Sequence, residues 1–147
     1  MNGISPIFFE LNQDNNITEN QLWTKINLGE NILIIDVRSE NQYFEGHIPT
    51  AINLPVQAQA NQTQLNIINS YNKSENIFYC SCTDGSNAKL LMELLNSIGL
   101  KNGFYMVDDF RYWSYDIFEG SNPGIWTTVP SNSLTNNNNN NNISNDE

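Results

Sequence analysis

Three short apolar segments, separated by stretches of helical periodicity, constrain this chain to an α/β fold. They read NILIIDV (residues 31–37), NIFYC (residues 76–80) and GFYMV (residues 103–107). Apolar runs of this length, rich in β-branched and aromatic residues, are typical of parallel strands that are buried on both faces. Strands that alternate with helices predict a parallel sheet covered by helices on both sides. Functional sites in such sheets lie at the carboxyl ends of the strands.

The stretches around these strands are predicted to be mostly helical. Thr18 and Ser39 begin two of them and are good N-caps, whereas Gly46 and Gly99 are placed to end two of them. The helical stretches are residues 18–27, 39–46, 64–72, 86–98 and 108–118, and AINLP, residues 51–55, is predicted to be extended.

Composition divides the 147 residues into three parts. Residues 1–16 are an N-terminal extension, residues 17–126 are a single globular domain, and residues 127–147 are an asparagine-rich tail. The tail contains an unbroken asparagine run, residues 136–142. Because such a segment buries too little apolar area to offset its ordering entropy, we expect the tail to be disordered.

The charge balance and the cysteine count exclude several classes of protein. Asp and Glu number 16 against 6 Lys and Arg, for a net charge of -10, so we expect no nucleic-acid partner. No apolar run reaches the ~20 residues of a membrane span, so we expect no membrane partner. The N-terminus lacks the pattern of a signal peptide. Two cysteines do not make a disulfide framework, and we therefore expect a reducing, cytoplasmic location.

Residues 32–55, ILIIDVRSENQYFEGHIPTAINLP, resemble the first signature of the rhodanese-like domain family. That signature is an apolar strand, Asp-x-Arg, a short acidic and aromatic helix, and Gly-His-Ile-Pro followed by Ala-Ile-Asn. Thr50 departs from it, since the family usually has glycine there. The resemblance implies an α/β, three-layer rhodanese-like fold with a central parallel sheet and helices on both faces. It also implies structural roles for Asp36, Arg38 and His47, which would fix the loop and the turn after the first strand.

Residues 77–95, IFYCSCTDGSNAKLLMELL, resemble the second signature of the family: a strand, a loop that begins with cysteine, and a helix. In this family the cysteine takes a sulfane sulfur, carries it as a persulfide and passes it to a thiol or cyanide acceptor. The resemblance therefore implies a sulfurtransferase whose partners are a small sulfur donor and a thiol acceptor, with no cofactor. One histidine and a Cys-x-Cys pair do not supply the ligands of a zinc site, so we expect no metal.

Either cysteine can occupy the catalytic position. Alignment by the strand that ends in FYC selects Cys80, whereas alignment backwards from the helix selects Cys82 and places Gly85 where the family commonly has glycine. We favour Cys82, because a thiolate that is stabilised by a helix N-terminus must lie close to the start of that helix. We expect Cys80 to be a buried, inert thiol with a higher pKa than Cys82. The predicted substrate loop comprises Thr83, Asp84, Gly85, Ser86 and Asn87, with Ser86 or Asn87 as the N-cap of the helix.

Charges around this loop differ from the family's pattern. Asn87 stands near the place where many active relatives have arginine, and Lys89 is the only cation nearby in sequence. Asp84 lies in the loop, and Asp108 and Asp109 replace a glycine pair that the family usually has before its last helix. Carboxylates raise the pKa of a neighbouring thiol and repel thiosulfate, so we expect weak activity toward that donor.

These charges keep a second function open, which is an interaction module with weak or no catalysis and a cationic protein partner. A phosphatase or an arsenate reductase of the same fold is disfavoured. Those relatives need arginine after a cysteine and five further residues, so that a guanidinium grips the oxyanion. The residue at that position is Ala88 if the cysteine is Cys82 and Ser86 if it is Cys80, so neither cysteine has the required arginine.

Overall fold

The computed structural model describes residues 15–127. Within this range five strands are present: β1 (Asn16–Ile17), β2 (Leu33–Asp36), β3 (Ile52–Asn53), β4 (Ile77–Cys80) and β5 (Phe104–Met106). The helices are α1 (Glu19–Asn27), α2 (Glu40–Glu45), α3 (Gln62–Asn69) and α4 (Ser86–Ser97), with 3-10 turns at Ser74–Asn76 and Phe110–Tyr112. None of the helices in this part of the chain is long and apolar enough to cross a membrane. Most of the predicted extension, residues 1–16, and of the predicted tail, residues 127–147, lies outside the described residues.

All five strands run parallel in one sheet, in the order β1-β5-β4-β2-β3. The central strand β4 pairs with β2 over four residues, from Leu33 opposite Ile77 to Asp36 opposite Cys80. Because parallel strands end at the same edge of a sheet, Asp36 and Cys80 lie side by side at the carboxyl edge. The predicted strands are confirmed at β2, β4 and β5, and the segment predicted to be extended contains β3.

Helices cover both faces of the sheet, which confirms the predicted three-layer α/β fold. On one face α3 and α4 pack on a core that includes Ile35, Tyr79 and Leu91. On the other face α1 and α2 pack on a core that includes Ile34, Phe78 and Cys80. Alternate residues of β2 and β4 enter opposite cores, as the period of two along a strand requires.

Three helix starts share one capping pattern. Thr18, Ser39 and Asn61 each accept a hydrogen bond from a backbone N–H three residues ahead, and the glutamine at that position bonds back to the cap. Such reciprocal capping boxes satisfy two otherwise unpaired backbone groups at a helix N-terminus. The predicted caps Thr18 and Ser39 are thus confirmed, and Gly46 ends α2 as predicted.

The structure corrects two local predictions. Residues 108–118 are not an α-helix: they form only the 3-10 turn Phe110–Tyr112, after which Trp113 leaves helical geometry. The Trp113 indole N–H donates to the Asp116 carbonyl, and its ring packs against the α1 side of the sheet, so tertiary packing overrides the helical pattern. Helix α4 begins at Ser86, and its N-cap is Gly85 rather than Ser86 or Asn87.

Thr50 explains why the family usually has glycine at this position. Its φ of 74° lies in the left-handed region, which glycine adopts without strain and threonine does not. The Thr50 amide donates to the Pro123 carbonyl at 2.9 Å, so the turn is tied to the end of the described chain.

Candidate active site

The cysteine loop connects the central strand to α4 at the carboxyl edge of the sheet. Strand β4 ends at Cys80, and α4 begins at Ser86. The loop is held on both sides by neighbouring backbone: the Val37 amide donates to the Cys80 carbonyl at 3.0 Å, and the Phe110 amide donates to the Ser81 carbonyl at 3.0 Å. The segments that follow β2 and β5 therefore fix the position of the loop between them.

The loop turns sharply because two of its residues adopt left-handed backbone conformations. Thr83 has a φ of 59° and Gly85 a φ of 81°. A Cβ atom on Gly85 would lie 2.6 Å from the Met106 carbonyl oxygen, so only glycine lets the loop pass this close to β5. The predicted loop glycine thus has a steric reason, which is independent of any role in catalysis.

The two cysteines lie in different environments. Cys80 is 0% exposed and belongs to the core under α1 and α2, as expected of a buried structural thiol. Cys82 is partly exposed and lines a cavity of about 240 Å³, together with Val37, Arg38, Ser39, Gln42, Val56, Gln57, Ser81 and Asn87. The Gln42 side-chain amide lies 3.7 Å from Cys82 Sγ, within range of a hydrogen bond to sulfur.

A buried Asp-x-Arg pair forms one wall of this site. The Arg38 guanidinium donates to both oxygens of Asp36, with Nη2 at 2.6 Å from Oδ2, and to the Gly46 carbonyl at 2.6 Å. It also lies 4.1 Å from the centroid of the Phe110 ring. Asn53 donates to the Asp36 and Arg38 carbonyls. This is the hydrogen-bonded network that the sequence predicts for Asp36 and Arg38.

A second Asp-x-Arg pair follows β5, and its Arg111 lines a cavity together with Arg38. Arg111 Nη2 lies 2.6 Å from Asp109 Oδ2, and the Arg111 amide donates to Asp109 Oδ1 at 2.9 Å. Hydrogen bonds from the Arg111 guanidinium, and a further one from the Arg111 backbone amide, hold the pKa of Asp109 below its usual value. The Phe110 amide, next to Asp109, donates to the Ser81 carbonyl and so holds this pair near the cysteine loop.

Both pairs act on the Cys82 thiol. Burial raises the pKa of Cys82, Arg38 and Arg111 lower it, Asp109 and Asp36 raise it, and the net direction is upward. Burial and then Asp36 raise the pKa of Cys80 well above its usual value. Cys82 therefore has the lower pKa of the two, and burial keeps it above that of an ordinary cysteine.

The three carboxylates predicted to crowd the loop have separate partners. The Asp84 carboxylate is exposed and accepts a hydrogen bond from the Ser86 amide at 3.0 Å, the main cause of its lowered pKa. Asp108 accepts from the Glu19 amide at 2.6 Å and so binds the first turn of α1. Only Asp109 is both close to the loop and among the groups that raise the pKa of Cys82. Asp84 and Asp108 are not among the groups that act most strongly on the Cys82 thiol.

The remaining predicted residues differ in how close they lie to Cys82. Lys89 Nζ is 5.7 Å from the centroid of the Tyr105 ring, and Lys89 is not among the groups that act most strongly on Cys82. His47 is fully buried, stacks on the Tyr43 ring with 3.8 Å between centroids, and bonds through Nδ1 to the Tyr43 carbonyl. Asn87 lines the cavity, whereas Thr83 faces solvent.

Sequence reasoning missed Gln42 and Arg111. One signal could have indicated Arg111, since residues 109–111 repeat the Asp-x-Arg pattern of residues 36–38. Both patterns follow strands of one parallel sheet, so both arginines were to be expected at the same edge. No sequence signal singles out Gln42, because its position opposite the loop depends on how α2 packs.

A family model of the rhodanese-like domain matches residues 18–116. The chain belongs to the rhodanese-like domain family. This rhodanese-like domain is 30% identical over 84 residues to the adenylyltransferase and sulfurtransferase uba4 of Ogataea parapolymorpha. The match covers 57% of the chain but only 20% of that relative, so the chain spans about one fifth of the relative's length.

Two solved structures have the same fold as this rhodanese-like domain. A Bacillus halodurans protein superposes with a TM-score of 0.58 at 17% identity, covering 89% of this chain and 96% of that one. The rhodanese-like domain of an Anabaena protein superposes with a TM-score of 0.56 at 19% identity, covering 73% of this chain and 80% of that one. These identities establish a shared fold and leave the activity to be argued from the site.

Proposed function

We propose that this rhodanese-like domain is a sulfurtransferase in which Cys82 carries a sulfane sulfur as a persulfide. The observation that carries the proposal is the access to its sulfur: Cys82 lines a cavity of about 240 Å³ at the carboxyl end of the central strand. Cys80 has no exposed surface and offers a donor no such access.

The proposed reaction has two halves. In the first, the Cys82 thiolate attacks the outer sulfur of a hydropersulfide donor, R–S–SH. A new S–S bond forms on Cys82, the S–S bond of the donor breaks, and the donor leaves as the thiolate R–S⁻. In the second, an acceptor thiolate attacks the outer sulfur of the Cys82 persulfide. The Cys82 thiolate then leaves with the electron pair of the broken bond, and the acceptor becomes the hydropersulfide.

Three features of the site support the anionic states of this cycle. Arg38 and Arg111 favour negative charge on Cys82, and the Gln42 side-chain amide can donate to its sulfur. Helix α4 begins four residues after Cys82, so its first N–H groups add partial positive charge near the loop. Burial opposes them, and the raised pKa of Cys82 keeps most of the thiol protonated at neutral pH. Loading should therefore accelerate as pH rises toward the pKa of Cys82.

Mass spectrometry of intact protein tests the assignment of the sulfur to Cys82. Wild type, Cys80→Ala and Cys82→Ala are each treated with a hydropersulfide, freed of excess donor and weighed. We expect wild type and Cys80→Ala to gain one sulfur that a reducing thiol removes, and Cys82→Ala to gain none. Sulfur on Cys82→Ala but not on Cys80→Ala would assign the reaction to Cys80.

A second candidate function is an interaction module without turnover, and the raised pKa of Cys82 favours it. Glu40, Glu45 and Asp84 are exposed, and Asp84 lies in the cysteine loop itself, so we propose a cationic protein surface as the partner. Absence of sulfur from all three proteins in the mass measurement, with several donors tried, would support this function over transfer.

Sulfur transfer needs Cys82 as a free thiol, and both Cys80 and Cys82 are free. We therefore propose a reducing compartment, the cytoplasm, as the location of the domain.

A further inference from the structure

The segment that carries the Asp109 carboxylate lies beside the cysteine loop. The Phe110 amide donates to the Ser81 carbonyl at 3.0 Å, which holds residues 109–111 against the loop. Asp109 is bonded to the Arg111 guanidinium, with Arg111 Nη2 2.6 Å from Asp109 Oδ2. The cation that this segment places near Cys82 is thus already paired with a carboxylate of the same chain.

Each arginine that acts on Cys82 is paired with a carboxylate as well. Arg38 is bonded to Asp36, and Arg111 is bonded to Asp109, in both cases at 2.6 Å. The two pairs sum to zero formal charge around the thiol. Thiosulfate is a dianion whose sulfonate oxygens need unpaired cations and free N–H donors. A hydropersulfide presents a terminal S–H and has no oxyanion at its reacting end.

We infer that Asp109 determines the sulfur donor by neutralising Arg111 beside Cys82, so that the site excludes thiosulfate and accepts hydropersulfides. The preference for a hydropersulfide donor rests on the proposed sulfur transfer, whereas the exclusion of thiosulfate from the site does not. Loading from thiosulfate requires the Cys82 thiolate to attack the outer sulfur, with sulfite leaving as the S–S bond breaks. Removal of the Asp109 carboxylate should allow thiosulfate to approach for this step.

The test compares matched alanine variants of two loop carboxylates, Asp109→Ala and Asp84→Ala. The readout is the ratio of the rate of sulfur loading from thiosulfate to that from a hydropersulfide, measured on the intact protein. This ratio cancels any change in the thiolate fraction of Cys82, because both donors react with the same thiolate. We expect the ratio to rise at least ~10-fold in Asp109→Ala, the size expected for removing a unit charge a few ångström from a bound anion. In Asp84→Ala, whose carboxylate faces solvent, it should change less than about twofold.

Two outcomes overturn the inference: an unchanged ratio in Asp109→Ala, or an equal rise in both variants. If Asp109→Ala does not fold, as its thermal transition would reveal, Asp109→Asn removes the charge while keeping the shape and is held to the same criterion.

Binding separates this inference from the proposed function. In the Cys82→Ala background, the Thr83 amide NMR signal should shift with added thiosulfate only when Asp109 is also alanine. If wild type accepts no sulfur from a hydropersulfide but thiosulfate still binds in this way, the proposed function fails and the exclusion of anions by Asp109 stands. If the Thr83 signal shifts neither in Cys82→Ala nor in the double variant with Asp109→Ala, the claim that Asp109 excludes thiosulfate is wrong, whatever the loading rates of the wild type.

Discussion

Two Asp-x-Arg pairs flank Cys82 with the same local geometry and different surroundings. In both, the arginine amide lies 2.9 Å from Oδ1 of the aspartate and Nη2 lies 2.6 Å from Oδ2. The Asp36 and Arg38 side chains are 0% and 6% exposed, whereas those of Asp109 and Arg111 are 12% and 56% exposed. Both pairs act on the thiol, and burial therefore distinguishes the two in how much each contributes to stability.

The difference follows from what each guanidinium binds besides its aspartate. Arg38 also bonds to the Gly46 carbonyl and packs on the Phe110 ring, so it connects α2, β2 and the segment after β5. Arg111 has most of its guanidinium side chain in solvent. An exposed ion pair contributes little to stability, whereas removal of one member of a buried pair leaves a charge that is costly to bury.

The largest expected effect is on stability. Arg38→Met keeps the length of the side chain and leaves the Asp36 carboxylate buried without its partner. We expect the free energy of unfolding to fall by ~3–5 kcal/mol, as is typical when one member of a buried pair is removed. Arg111→Met is the matched control and should leave the midpoint of urea unfolding nearly unchanged. Equal losses of unfolding free energy in Arg38→Met and Arg111→Met would show that burial does not determine how much each pair contributes to stability.

A smaller effect is expected on the pKa of Cys82, and here the exposed pair should respond. Asp109→Ala removes a carboxylate that raises this pKa and should lower it, whereas Arg111→Gln removes a cation that lowers it and should raise it. The pH dependence of iodoacetamide alkylation, measured in a Cys80→Ala background, reports this pKa. In ~1 M salt the shift caused by Arg111→Gln should shrink, because exposed charges are screened. Shifts of the same sign in both variants would contradict the roles assigned to the pair.

Local sequence rules could predict the parts of the fold that depend on neighbours along the chain. The strands β2, β4 and β5, the caps Thr18 and Ser39, and the end of α2 at Gly46 all follow from short-range patterns. The helix that the same rules predict over residues 108–118 does not form. Asp109 caps only a single 3-10 turn, and Trp113 packs against the core under α1 and α2. Tertiary packing determines the conformation of such a segment, and hydrophobic periodicity alone cannot reveal the effect of that packing.

The sequence indicates which residues lie near the cysteine loop better than it indicates how their charges act on the thiol. The order of the two thiol pKa values follows from strand depth, since Cys80 lies one step deeper than Cys82. The upward direction for Cys82 depends on burial, which the sequence does not show. The sequence does not distinguish the three carboxylates of Asp84, Asp108 and Asp109. In the structure they bond to Ser86, Glu19 and Arg111, respectively, so each has a different role.

The central claim is that Cys82 both receives and returns sulfur, and a single-turnover experiment tests it most directly. Cys80→Ala protein is loaded from a hydropersulfide, separated from the donor and mixed with a small thiol. The masses of the protein and of the acceptor are followed in time. The account predicts that the protein loses one sulfur as the acceptor hydropersulfide appears, at a rate that rises with acceptor concentration. Loaded protein that keeps its sulfur, or a Cys80→Ala variant that never takes one up while wild type does, would contradict it.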